Sequence, residues 1–278
     1  MTASTSLQNG NALLNDIYDE LMTGSFYPAI HRLCEILDLL RNGMPVRDWR
    51  EFCKSTVSRH PIRTILSEGP ITGQWLRSPP EGGVDSLAFD LVCGRTVAAA
   101  DATGLGKMLY GWEYGLPFSE ALRSRRDAVA RELNEIAREH KNATVLSLGH
   151  SWVVETTLPQ VQWPGGPGLD DRTGHFDFIY ALDFFDTADT VMAVNILPKL
   201  LGMLKPNGRL IAANLTTEIP EAAYLEACMD YWPKYRSEEE MAALAVKVPE
   251  KQVSSQCVFR DESGCTVFLE LQRSGESG

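Results

Sequence analysis

Two short apolar runs, and the distance between them, constrain this chain more than any other feature. Residues 144–149, Thr-Val-Leu-Ser-Leu-Gly, read as the first strand of an open α/β sheet. Residues 176–182, Phe-Asp-Phe-Ile-Tyr-Ala-Leu, read as a strand that ordinarily comes much later in such a sheet. Only 26 residues lie between Gly149 and Phe176. A single βαβ unit takes about 30 residues or more. An interval that ordinarily holds two further strands therefore has room for one short crossover. The chain can build the centre of a parallel sheet, but one edge of that sheet must be cut back.

The segments around this interval show which period each follows. Before it the spacing is helical. Leu13, Leu14, Ile17, Leu21 and Met22 recur at helical intervals, as do Ile30, Leu33, Ile36, Leu37 and Leu40 up to Gly43. Residues 46–59 predict a third helix with Val46, Trp49, Phe52 and Val57 on one side. Arg77-Ser78-Pro79-Pro80-Glu81-Gly82-Gly83-Val84 is a break, followed by a helix from Asp85 to about Cys93. Residues 117–140 predict a long amphipathic helix with Leu122, Val129, Leu133 and Ile136 inward. Its charged residues, Arg123, Arg125, Arg126, Asp127, Arg131, Glu132 and Glu135, read as a solvated face. From Thr144 strands and helices alternate, which implies a parallel sheet. Strands fall at 144–148, 176–182 and 209–214, with helices at 190–204, 221–231 and 237–246. Pro198 should kink the first of these helices. Residues 252–260 and 264–272 form a terminal hairpin across Asp261-Glu262-Ser263-Gly264. The organisation expected is a helical region over 1–115 and an α/β domain over 116–278.

Composition removes several function classes. A formal charge of −11 disfavours nucleic acid and anionic membrane surfaces, which reward clustered Lys and Arg. No apolar run approaches the roughly 20 residues needed to span a bilayer. The N-terminus carries no basic segment ahead of an apolar core, so no signal peptide is expected. The six cysteines contain no C-x-x-C pair and read as reduced core thiols. These features point to the cytoplasm. His31, His60, His140 and His175 lack metal-ligand spacing, so no metal is expected. No Ser-His-Asp triad, Walker loop or zinc signature is present.

The later segments carry a resemblance. Phe176-Asp177-Phe178-Ile179-Tyr180-Ala181-Leu182-Asp183-Phe184-Phe185-Asp186 is similar to an F-D-x-I-Y-x-x-x-L-F-D motif. Leu204-Lys205-Pro206-Asn207-Gly208-Arg209-Leu210 is similar to an L-K-P-G-G-x-L turn. Asn214, Tyr224-Leu225-Glu226, Met229-Asp230-Tyr231-Trp232 and Tyr235-Arg236 resemble N-F…Y-M-E…M-D-W-W…Y-R, and His60-Pro61 with Ile65-Leu66 resembles H-P-L…L-L. Over roughly residues 12–272 the chain resembles the class I S-adenosylmethionine (SAM)-dependent methyltransferases. Within them it looks like a bacterial group with a helical region before the sheet, including enzymes that make fatty-acid methyl-ester signals. The resemblance implies a Rossmann-like methyltransferase sheet, here truncated, under an N-terminal helical lid. It also implies that the first strand lies beside the fourth, so that deleting strands two and three trims one edge and leaves the centre intact.

The front of the domain departs from that family. The first strand should end in G-x-G, but this chain has Gly149-His150-Ser151-Trp152. The P-R-G-Y-A-G-D loop that caps the sulfonium end of the cofactor is reduced to Pro80-Glu81-Gly82-Gly83-Val84-Asp85. The ribose-binding acid has no strand to occupy; Asp170 and Asp171 are the nearby acids. The cofactor-binding candidates are Gly149, Ser151, Trp152, Glu155 and Asp85. Trp152 either stacks on a ligand or plugs the adenosine space, Glu155 binds a polar group or caps a helix, and Asp85 binds or caps. The catalytic candidates are His150, Tyr180 and Asp183, at strand carboxyl ends. For His150 the alternative is a histidine filling vacated space. The substrate-binding candidates are Asn214, Tyr231, Trp232 and Tyr235, the three aromatics lining either a pocket or the core.

Three functions remain open. The first is a methyltransferase acting on a small molecule, in specialised metabolism, with SAM in an altered site. The second is a repurposed enzyme on that fold catalysing a cyclisation, isomerisation or elimination, without SAM or with SAM as substrate. The third is a non-catalytic binding subunit.

Overall fold

The structure, a computed structural model, describes residues 3–78, 86–96, 102–140, 142–148 and 173–275. These fall into two compact units, each discontinuous in sequence. The first takes the described residues within 1–80, 90–119 and 220–232; the second takes those within 81–89, 120–219 and 233–278.

The first unit is helical. It contains α1 (Ala3–Met22), α2 (Phe26–Gly43), α3 (Val46–Ser55), a 3-10 turn (Val57–Arg59), α4 (Pro61–Leu66) and α5 (Pro70–Arg77). Helix α6 (Ser86–Val92) spans the division at residue 90, and α7 (Gly104–Tyr114) follows. Helix α11 (Ala222–Cys228) returns to this unit much later in the chain. The stripes expected of α1 and α2 are buried at Leu14, Ile17, Leu21, Ile30, Leu33, Ile36 and Leu37. Met22, assigned to the stripe of α1, and Val46, assigned to the apolar side of the third helix, are exposed. The residues before and after Pro61 fold as separate elements because Pro disfavours helical backbone at the residue before it. His60 is extended there, and its Nδ1 accepts the Ile62 N–H as an N-cap.

The second unit contains β1 (Val145–Ser147), β2 (Phe176–Ala181), β3 (Leu204–Leu215), β4 (Val253–Arg260) and β5 (Thr266–Arg273). Its helices are most of α8 (Pro117–Glu139), with α9 (Phe184–Thr187), α10 (Thr190–Met203) and α12 (Glu238–Ala243). The sheet order is β1-β2-β3-β5-β4. Strand β1 pairs directly with β2 in parallel, Leu146 opposite Ile179 and Ser147 opposite Tyr180. Strand β2 pairs in parallel with β3, and β5 then runs antiparallel to both β3 and β4. This is a mixed α/β fold, with the first strand beside the strand that ordinarily comes fourth. Strand β2 is buried on both faces except at Asp177, as a central parallel strand should be. The Asp177 carboxylate accepts the Thr144 N–H at 2.7 Å and Lys205 Nζ at 2.6 Å, which ties the starts of three strands together.

Leu122, Val129, Leu133 and Ile136 of α8 are buried as expected. The charged face of that helix is not wholly solvated. Arg125 is completely buried and ion-paired, because it occupies the inward stripe between Leu122 and Val129. Helix α10 continues through Pro198, and Asp189 caps its start by accepting the Met192 N–H.

Candidate active site

The carboxyl ends of the parallel strands carry Tyr180, Asp183 and Asn214, three of the six described candidates. Tyr180 is 1% exposed and lies opposite Ser147 in the β1–β2 register, with the Ser147 side chain hydrogen-bonded to it. Burial pushes its phenol up to about 12, with the Asp183 carboxylate raising it further and the Ser147 hydrogen bond opposing. Tyr180 therefore stays protonated at neutral pH. Asp183 is 2% exposed and precedes α9, but its carboxylate makes no N-cap bond. Asp183, Tyr180 and Ser147 thus form one polar group where β1 and β2 end.

Asn214 lies near the end of β3, completely buried, and its side chain belongs to a different network. Its Nδ2 donates to the carbonyls of Leu215 and Lys234, and its Oδ1 accepts from Arg236 Nη1. Arg236 also donates to the carbonyls of Phe185 and Ala188. Beside this network, Arg125 and Asp186 form a fully buried ion pair at 2.6 Å. Arg125 donates as well to Thr266 Oγ1 and the Leu182 carbonyl, while Asp186 accepts the Leu215 N–H at 2.7 Å. Two guanidiniums thereby fix the chain that follows β2 and β3. A lone buried charge costs several kcal/mol; here each guanidinium is met by several oxygens.

The three aromatic candidates have three different surroundings. Tyr231 is core of the first unit, edge-on to Trp75 at 5.5 Å and tilted against Phe118 at 6.0 Å. Trp232 is half-buried and lines a cavity of about 670 Å³ in the same unit. Tyr235 lines a smaller cavity of about 380 Å³ in the second unit, with Thr190, Lys234, Arg236 and Glu240. Gly149, His150, Ser151, Trp152, Glu155 and Asp85 lie outside the described residues. Among the described residues no cluster of His, Cys, Asp and Glu could hold a metal ion.

Sequence reasoning missed a second set of buried acids, all in the first unit. Glu113 is 1% exposed and accepts the Ile71 and Thr72 N–H groups, at 3.0 and 3.1 Å, at the start of α5. Burial raises its carboxyl to about 7 against those two amides, which pull it down. Thr72 Oγ1 meets the Tyr224 hydroxyl at 2.9 Å, and Trp112 packs edge-on to Tyr224 at 5.0 Å. Glu221 is likewise raised to about 7 by burial, with the Asp38 charge adding to it. Glu226 accepts both Arg41 Nε and Nη2 at 2.9 Å and Trp49 Nε1 at 2.6 Å. Glu226 belongs to the Tyr-Leu-Glu motif that carried the resemblance, so its importance had a sequence signal. Glu113 had none beyond its neighbours Trp112 and Tyr114.

No family model matches the chain, and no curated protein matches it by sequence. Solved structures do. A possible exported protein from Bordetella parapertussis aligns over 99% of this chain and 98% of its own, at 16% identity and a TM-score of 0.57. The CurJ carbon methyltransferase aligns over 98% of this chain and 92% of its own, at 10% identity and a TM-score of 0.45. Human N-acetylserotonin methyltransferase, solved with SAM, aligns over 74% of this chain and 67% of its own, at 13% identity and a TM-score of 0.39. The likeness to the Bordetella protein is a likeness of fold. Among the described residues no helix is long and apolar enough to cross a membrane.

Proposed function

We propose that this chain is a SAM-dependent methyltransferase-like enzyme that acts on a small molecule in specialised metabolism, through an altered cofactor site. What supports the reading is the sheet: β1 lies directly beside β2, in parallel, and an antiparallel pair follows β3. That is the order the sequence resemblance implies once two strands are removed from the edge. A cytoplasmic location is proposed as part of this reading.

The described residues fit SAM in charge. The cofactor is cationic at its sulfonium and its ammonium, and Asp183 is a buried carboxylate at a strand's carboxyl end. When bound, SAM supplies a methyl group on a sulfonium leaving group. The chain's own residues would do the remainder. Asp183 faces positive charge, and the Tyr180–Ser147 hydroxyls orient a polar atom beside it. His150 takes the proton from the nucleophile at a ring nitrogen. Gly149, Ser151, Trp152, Glu155 and Asp85 complete the cofactor side. Tyr235, which lines a cavity of the second unit beside Arg236, is proposed for the substrate, with Asn214 positioning Arg236.

Calorimetric titration with SAM and with S-adenosylhomocysteine tests the reading. Saturable binding with a Kd between about 100 μM and 5 mM, on the scale of about 1.4 kcal/mol per decade, is the expected result. No binding at the upper limit would remove methyl transfer from consideration. A second reading, a repurposed fold catalysing a cyclisation, isomerisation or elimination, is favoured by one observation. Only 26 residues separate Gly149 from Phe176, so the strand that carries the ribose-binding acid has no room.

A further inference from the structure

We propose that the first unit carries a binding site for a small organic anion, in the cavity walled by α3, α4 and α11. The cavity measures about 670 Å³ and is lined by Arg50, Lys54, Arg63, Glu226, Asp230 and Trp232, among others. That volume suits a small-molecule ligand. The proposal goes beyond the reaction argued above and stands whether or not SAM binds.

The charge balance decides the class of ligand. Three cations face this space in a chain whose formal charge is −11. The two carboxylates there offset only part of this charge, since Glu226 is paired with Arg41 from outside the lining and Asp230 alone faces the three cations. Glu226 has both oxygens occupied by Arg41 and Trp49, neither of which lines the cavity. Asp230 accepts Trp232 Nε1 at 3.0 Å on Oδ1. Among the described residues the Lys54 ammonium and the Arg63 guanidinium have no hydrogen-bond or ion-pair partner. Arg50 sits over the Trp232 ring, 4.6 Å from its centroid, an interaction that leaves its N–H edge available. Two cations without carboxylate partners and a third stacked on an indole are complementary to an oxyanion, which Arg and Lys bind through charge-assisted hydrogen bonds.

The cavity also dictates the body of the ligand. The Trp232 ring is held at its nitrogen by Asp230 and on one face by Arg50, so its orientation is fixed. Asp230 adopts φ +54, a left-handed conformation that directs the chain from α11 into the cavity wall. With Cys53 and Ala227 the Trp232 indole gives an apolar surface beside the cations. The ligand class is therefore a carboxylate or phosphate on a flat or apolar body, rather than a bare inorganic ion.

The test is a fluorescence titration of the full chain with phenyl phosphate, benzoate, inorganic phosphate and neutral benzyl alcohol. Both aromatic anions should bind with Kd of about 1 mM or tighter, at least tenfold more tightly than benzyl alcohol. The preferred head group identifies phosphate or carboxylate as the ligand chemistry. In the Lys54→Gln/Arg63→Gln double variant the affinity for both anions should fall at least tenfold, with the melting temperature unchanged, because neither side chain holds the fold together. A parallel Trp232→Phe variant should lose the fluorescence response while keeping binding measured by calorimetry. Equal binding of benzyl alcohol, undiminished anion binding by the double variant, or no anion binding up to about 10 mM would each overturn the proposal.

Discussion

Arg125 shows how one residue can escape a reading that its neighbours support. It lies three residues after Leu122 and four before Val129, on the apolar stripe of α8, and the same spacing that buries those two buries the guanidinium. A buried guanidinium needs oxygens to meet its charge and its N–H groups, and for Arg125 the Asp186 carboxylate supplies the ion pair at 2.6 Å. Removing one partner leaves the other charged in the core, so Arg125→Met should cost about 3–5 kcal/mol in urea unfolding. Adding Asp186→Leu should recover part of that loss, and strictly additive costs would show that the two groups act independently. Glu113 is a second case at this scale. Its carboxyl, raised from 4.5 to about 7 by burial, holds its proton at higher pH in the folded chain than in the unfolded one. Its contribution to stability is therefore complete below 4.5 and is lost as the pH rises through about 7. Glu221, raised by burial to about the same value, declines over the same window. In Glu113→Gln the fall in unfolding free energy between about pH 5 and pH 7.5 should be smaller than that of the parent, and an unchanged slope would assign it elsewhere.

At the scale of elements, the strands and the long helices were legible because each keeps one period. The terminal hairpin was visible from two runs about a tight turn, and it forms with Gly264 at φ +73. Strand β3 begins earlier than expected, at Leu204, because the Lys205-Pro206-Asn207-Gly208 turn is itself built into the strand. Asn207 takes φ +63, and a Cβ at Gly208 would lie 2.9–3.1 Å from the carbonyl oxygens of Lys205, Phe176 and Asp177. All three are backbone atoms and cannot swing aside. Gly208→Ala should therefore destabilise by about 1–3 kcal/mol through overpacking, while Asn207→Gly, which relieves a left-handed residue, should be near neutral. Equal effects in thermal melts would mean that the close approach at Gly208 is not what limits the turn. Helices α5 and α7 were not legible. Helix α7 carries glycines at 104, 106 and 111, which lower helix propensity. Its start is fixed by Thr103, whose hydroxyl accepts the Gly106 N–H, and the start of α5 is met by the Glu113 carboxylate, a partner far away in sequence.

Over the whole molecule, chain order was a poor guide to where a segment packs. Residues 220–232 follow three strands of the α/β unit yet join the helical one, and all seven residues of α11 are buried. A helix buried all round has no stripe to reveal its partner surface. The interval between Gly149 and Phe176 was different, since length alone fixed its consequence. β1 and β2 are adjacent, and the ribose-binding strand has no space between them in sequence. A carboxylate on a ribose diol contributes charge-assisted hydrogen bonds of about 1.5–3 kcal/mol each, so its loss weakens SAM by about one to three orders of magnitude. The expected Kd is above about 100 μM. Trp152, where the methyltransferases that the sequence resembles have an open glycine turn, then decides between two uses of the vacated space. We propose that the indole fills it as a plug. Trp152→Gly should in that case bind SAM at least as well as the parent protein, measured by calorimetry. Low-micromolar binding by the parent, lost in Trp152→Gly, would instead make the indole the platform for adenine, and would return the chain to ordinary methyl transfer with a rebuilt cofactor wall.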